Sequence, residues 1–209
     1  MSFSLHTALA DLAAASTLML AACASAPVHY YTLVQPRPSR SAVTVSAAAP
    51  FAVDVFPVGV PAQLDQQQLV VRESGGSVAV LDGERWVSPL GDELRSAISS
   101  GVVDQLGTYD IAGLPRPQDR AVVTIRVQIR RLDAWAGRSV QLEADWSTGV
   151  RQKAGNARVT CHTYLEKATQ GGYPEMVRAQ QQVVGLLASQ IATAARSVAS
   201  SGNAACPAA

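Results

Sequence analysis

The chain has 209 residues, 48% of them apolar and 16% charged, which is enough for one well-cored domain and too apolar for a disordered one. Lys and Arg total 17 against 16 Asp and Glu, so the net charge is +1 and offers no basic footprint for nucleic acid. Three cysteines and three histidines, with no two cysteines at ligand spacing, speak against a zinc site, and no uninterrupted apolar run reaches the ~20 residues of a spanning helix.

Residues 1–22 read as a secretory signal. An apolar stretch from Leu12 to Leu20 runs into Leu20-Ala21-Ala22-Cys23, with Ala24-Ser25-Ala26-Pro27 behind it. No Lys or Arg precedes Cys23, the first basic residue being Arg37. Ala21 and Ala22 suit a peptidase that accepts only small side chains. A cysteine directly after them resembles the lipobox of bacterial lipoproteins. That resemblance implies cleavage between Ala22 and Cys23, a diacylglycerol on the Cys23 thiol and an acylated new amine. Ala24 is not the aspartate that retains such proteins in the inner membrane, so the resemblance implies the outer membrane. Three acyl chains, at ~0.8 kcal/mol per buried methylene, make a stable anchor.

Residues 23–50 are expected to hold the attachment point, a short first strand at Tyr30 to Val34 and a Pro-, Ser- and Ala-rich linker. Residues 51–200 form one α+β domain, and 201–209 a tail. Phe51 to Phe56 reads as a strand stopped by Pro57, and Leu69 to Arg72 with Ser77 to Leu81 as a hairpin around Gly75-Gly76. Ser88-Pro89 has the form of an N-cap followed by a first helical proline. Leu90, Leu94, Ile98, Val102 and Leu106 then make one helical stripe, and Gly107 is placed to end it.

Val123, Ile125, Val127 and Ile129 alternate with Thr124, Arg126, Gln128 and Arg130 in a strand with one covered and one wet face. Val140 to Trp146 alternates likewise, and Ala157 to Leu165 completes a meander. An antiparallel pairing would set Arg126 and Arg130 against Glu143 and Asp145 on the wet face. The last helix carries Val177, Val184, Leu187, Ile191, Ala195 and Val198 on one side and Gln180, Gln181, Gln190 and Ser197 on the other. The expected fold is α+β, a mostly antiparallel sheet with two helices packed on one face.

Several segments, taken in order, carry a wider likeness. They are Tyr31-Thr32-Leu33, then Val53-x-Val55-x-Pro57-Val58-x-Val60-Pro61 running on to Val70-Val71-Arg72. Arg85-Trp86-Val87-Ser88-Pro89-Leu90-Gly91-Asp92-Glu93-Leu94 follows, then Val140-x-Leu142-x-Ala144-x-Trp146 and the closing helix from Val177 to Ile191. Their order resembles the PqiC (YmbA-type) family of ABC-type transport auxiliary lipoproteins. The resemblance implies a periplasmic domain tethered to the inner leaflet of the outer membrane, with an MCE-domain tunnel protein as partner and phospholipid as cargo. A homo-oligomeric ring matching the rings of such a tunnel is a further expectation. A lipoprotein assembly or docking factor for another envelope complex, and a lipid-anchored hydrolase, are the alternatives.

With Cys23 committed to lipid, Cys161 and Cys206 remain as a disulfide pair in an oxidising compartment. Closing a loop of about 45 residues stabilises by roughly 3–4 kcal/mol in the chain-entropy model. Cys161-His162 is a poor nucleophile-base pair, because neighbours on a strand point to opposite faces. Gly75-Gly76 lacks the glycines and lysine of a phosphate loop. Trp86, Trp135 and Trp146 read as core residues rather than lipid contacts. No catalytic residue, metal ligand or cofactor is assigned, and the protein is expected not to be an enzyme.

Overall fold

Helix, strand and turn alternate in a computed structural model that describes residues 27–36, 48–152, 155–201 and 205–207. The signal segment and the lipobox residues Leu20, Ala21, Ala22 and Cys23 lie outside the described residues. The elements in chain order are β1 (His29–Tyr31), β2 (Phe51–Val55), β3 (Gln68–Arg72), β4 (Val78–Trp86), α1 (Leu90–Leu106), β5 (Ala121–Trp135), β6 (Ser139–Gln152), β7 (Gly155–Ala168) and α2 (Tyr173–Ser201).

The expected meander is present. β5, β6 and β7 pair antiparallel, and β3 and β4 form the expected hairpin across a short 3-10 turn, Ser74–Gly76. Two features go beyond a single mostly antiparallel sheet. The strands divide into a three-stranded sheet, β1-β4-β3, and a four-stranded sheet, β2-β5-β6-β7. Both are mixed, because β1 joins β4 and β2 joins β5 in parallel. A parallel pair needs a long crossover, and the chain between β2 and β5 supplies one that includes α1.

Strand β5 outruns its simple alternation because of a bulge. Ile129 faces Ala144 but Arg131 faces Glu143, leaving Arg130 as the extra residue. Val123, Ile125, Val127 and Ile129 are buried before the bulge, and Leu132 and Ala134 after it. The parity switch is why a period-2 pattern stops at Ile129.

The stripe of α1 is buried as expected, and Gly107 ends the helix in the left-handed region (φ 61°), its N–H donating to Val103 O. Ser88 is not the N-cap. Pro89 takes that position in an extended conformation (φ −51°, ψ 146°) and supplies no side-chain cap. The fixed φ of proline suits this turn as well as a first helical residue.

Helix α2 lies against β5, β6, β7 and α1. It is long and apolar enough to cross a membrane, yet Met176, Val183, Leu187, Ile191 and Ala195 are all buried inside the domain. Enclosure by both the sheet and α1 widens its covered arc beyond one stripe. Gln180, expected on the polar side, is therefore buried. Where the helices meet, a Cβ on Gly101 would sit 2.8 Å from Ala188 Cβ, so glycine permits the close approach.

Candidate functional site

Two of the sequence segments quoted above converge at one carboxylate. Glu93 stands three residues after Leu90, on the apolar side of α1, and is only 4% exposed. Its Oε2 accepts from Thr32 Oγ1 at 2.7 Å and from Leu33 N–H at 2.8 Å, and its Oε1 accepts from Ser88 Oγ at 2.9 Å. A buried carboxylate requires such donors, and charge-assisted bonds are about twice as strong as neutral ones. The Thr32 carbonyl accepts in turn from Gln181 Nε2 at 2.8 Å, and Gln35 Nε2 donates to Gln181 O at 3.0 Å. Residues 32–35 are thus a strap fastened to both helices, with Leu33 buried in the core.

Just before the strap, Tyr31 Oη donates to Glu84 Oε2 at 2.6 Å, and His29 Nδ1 lies 2.9 Å from Glu84 Oε1. Burial, with the Glu84 carboxylate beside it, pushes the Tyr31 hydroxyl up to about 12. Alongside the strap a groove of about 540 Å³ runs between the helices, with Leu33, Pro36, Gly101, Gly185, Leu186 and Lys167 on its walls.

The polar face of the four-stranded sheet is a second surface. Arg130 Nε donates to Asp145 Oδ2 at 2.6 Å, and His162 Nδ1 lies 2.8 Å from Asp145 Oδ1. The His162 bond first, and the Arg130 bond next, hold the Asp145 carboxyl below its ordinary value. Arg131 approaches Glu143 at 3.7 Å. Arg130 thus meets an acid as expected, whereas Arg126, in the regular register before the bulge, faces Ser147. Its guanidinium instead lies 3.8 Å from the Phe56 ring centroid. The segment after β2 continues along β5, with Gly59 N–H donating to Val127 O and Ile129 N–H to Gly59 O. A side chain at Gly59 would collide with Gln128.

Cys161 and Cys206 are disulfide-bonded, their Cα atoms 5.6 Å apart, so the C-terminal tail is fastened to β7. Cys161 is buried while His162 is exposed on the opposite face. Trp86 and Trp146 are buried core residues, and Trp146 Nε1 donates to Thr163 Oγ1 at 2.9 Å. Among the described residues no group of three His, Cys, Asp or Glu side chains converges on a metal position.

Sequence reasoning missed Glu93 and Asp110. A charged residue on an apolar helical stripe was the available signal for Glu93. Asp110 lacks any such signal. It accepts from Val55 N–H and Ala112 N–H, and from Arg95 Nη2 and Ser99 Oγ of α1, so it fixes α1 to β2.

The family model described as ABC-type transport auxiliary lipoprotein component matches residues 31–192. No curated protein matches the chain. Among solved structures, an uncharacterized protein shares the fold with a TM-score of 0.56 at 20% identity, covering 80% of this chain and 98% of its own. A protein from Xanthomonas campestris does so with a TM-score of 0.54 at 12% identity, covering 78% of this chain and 92% of its own.

Proposed function

We propose, from the premise that this chain belongs to the family of ABC-type transport auxiliary lipoprotein components, that it is a non-enzymatic docking domain held on the inner leaflet of the outer membrane. Cys23 carries the lipid, and the domain faces the periplasm. Its partner is an MCE-domain tunnel protein that moves phospholipid between membranes, and several copies form a ring around the tunnel end. The observation that carries this reading is the strap at Glu93. It fixes the segment leading from the anchor to both helices, so that a pull on the tether is borne by the domain core. The arginine-bearing face around Arg126 and Arg130, together with the Pro57–Leu64 segment beside it, is the docking surface.

Two measurements test the proposal. Metabolic labelling with a clickable fatty acid should mark the protein, and Cys23→Ser should abolish the mark and release the domain from membrane fractions. Affinity purification of the native protein from envelope membranes should recover an MCE-domain protein. Recovery of a different envelope complex would replace the transport reading with an assembly or docking role elsewhere.

A further inference from the structure

Strand β1 turns His29 and Tyr31 towards Glu84, so by alternation Val28 and Tyr30 point the other way. Tyr30 stands beside Arg85 in the parallel register, and Val87 stays next to β1, its N–H donating to Tyr31 O at 2.9 Å. Val28, Tyr30 and Val87 are 41%, 61% and 59% exposed, a cluster of large apolar side chains left open to solvent. Arg85 Nε is engaged by Asp82 O at 2.9 Å, and His29 by Glu84. His29 and Glu84 point to the opposite face, so the patch is apolar and aromatic with Arg85 as its one basic neighbour in the register.

Its place in the chain identifies what covers it. The tether from Cys23 to His29 spans at most ~25 Å when fully extended. The patch therefore begins within a few residues of the acylated position and cannot move far from the bilayer. Tyrosine favours the membrane interface, where its ring meets acyl chains and its hydroxyl stays wet.

We infer that Val28, Tyr30 and Val87 form a foot that rests in the headgroup layer of the membrane holding the anchor, and so sets the orientation of the whole domain. The inference rests on acylation of Cys23. Helix α1 has 17 residues and is therefore about 25 Å long, and it separates Val87, just before its start, from Gln105 in its last turn. The foot thus turns the far end of α1 away from the bilayer, towards the periplasm.

The test uses acylated protein in vesicles of phosphatidylethanolamine and phosphatidylglycerol, with an environment-sensitive dye placed through Val87→Cys or Gln105→Cys. Gln105 is exposed at the far end of α1 and serves as the distant control. Emission from the Val87 position should shift to the blue and be quenched by headgroup spin labels, with the Gln105 position unchanged. Tyr30→Ser should reverse the shift while the protein remains vesicle-bound through its anchor. Acylated protein whose Val87 dye behaves like the Gln105 dye would overturn the foot and leave the anchor standing. A blue shift that appears without vesicles and grows with protein concentration would overturn it too, making the patch a contact between copies. Intact mass without acyl chains would overturn the anchor itself, and the foot with it.

Discussion

The backbone N–H of Leu33 donates to Oε2 of Glu93 at 2.8 Å, across 60 positions of sequence. Thr32 Oγ1 reaches the same oxygen at 2.7 Å, and Gln181 of α2 holds the Thr32 carbonyl at 2.8 Å. Glu93→Ala should leave Leu33 N–H and the Thr32 and Ser88 hydroxyls without their acceptor, at a cost of roughly 2–4 kcal/mol. Glu93→Gln keeps the shape and one acceptor oxygen and should cost about half as much. Urea unfolding measures the loss, and limited proteolysis should cut the alanine variant within residues 27–36 first. Unchanged stability in the alanine variant would show that the strap holds without its carboxylate.

Cys206→Ser should lower stability by about 2–4 kcal/mol through the freed unfolded chain while leaving the fold intact. Protein recovered from an oxidising compartment should show no alkylatable thiol at Cys161 or Cys206 before reduction. Mass spectrometry that found both thiols free in such protein would contradict the bridge.

The pH dependence follows from Asp145, whose folded-state pKa lies below its ordinary value of 3.8. A depressed carboxyl pKa stabilises the fold above the unfolded value, and the stabilisation disappears as pH falls towards the folded one. Stability should therefore decline on acidification below about pH 4, and Asp145→Asn should make that decline shallower. Because the pair is largely exposed, salt should weaken the effect. Thermal melts across the acidic range, with and without salt, provide the check. Parallel profiles for wild type and Asp145→Asn would refute the assignment.

Gly101 and Ala188 set the spacing of the helices. Gly101→Ala gains about 1 kcal/mol of helix propensity, but it drives two Cβ atoms into overlap, which costs roughly 1–3 kcal/mol. A lower melting temperature is expected despite the better helix former. Adding Ala188→Gly moves the gap to the facing helix and should recover most of the loss, a coupling read from the double-mutant cycle. Strict additivity of the two changes would mean that the helices do not press together here.

Alternation and four-residue spacing act within a few residues, and wherever they ran unbroken they placed the elements. The stripe of α1 with Gly107 at its end, the Gly75-Gly76 hairpin and the β5-β6-β7 meander were all legible for that reason.

What periodicity cannot express is an interaction whose partner is distant or whose geometry breaks the period. The extra residue at Arg130 reverses the parity of β5, so the alternation ends at Ile129 while the strand continues to Trp135. Parallel pairing of β1 with β4 and of β2 with β5 depends on how long connections fold back, which no local pattern records. Gln180 is buried because α2 is covered by both the sheet and α1, whereas a single amphipathic stripe allows for one covered side. Glu93 stood in a quoted segment as one more charged residue. It became the point where the tether joins the core only when residues 32 and 33 were brought beside it, because a carboxylate buried on an apolar face is stable only with donors that the rest of the fold must deliver.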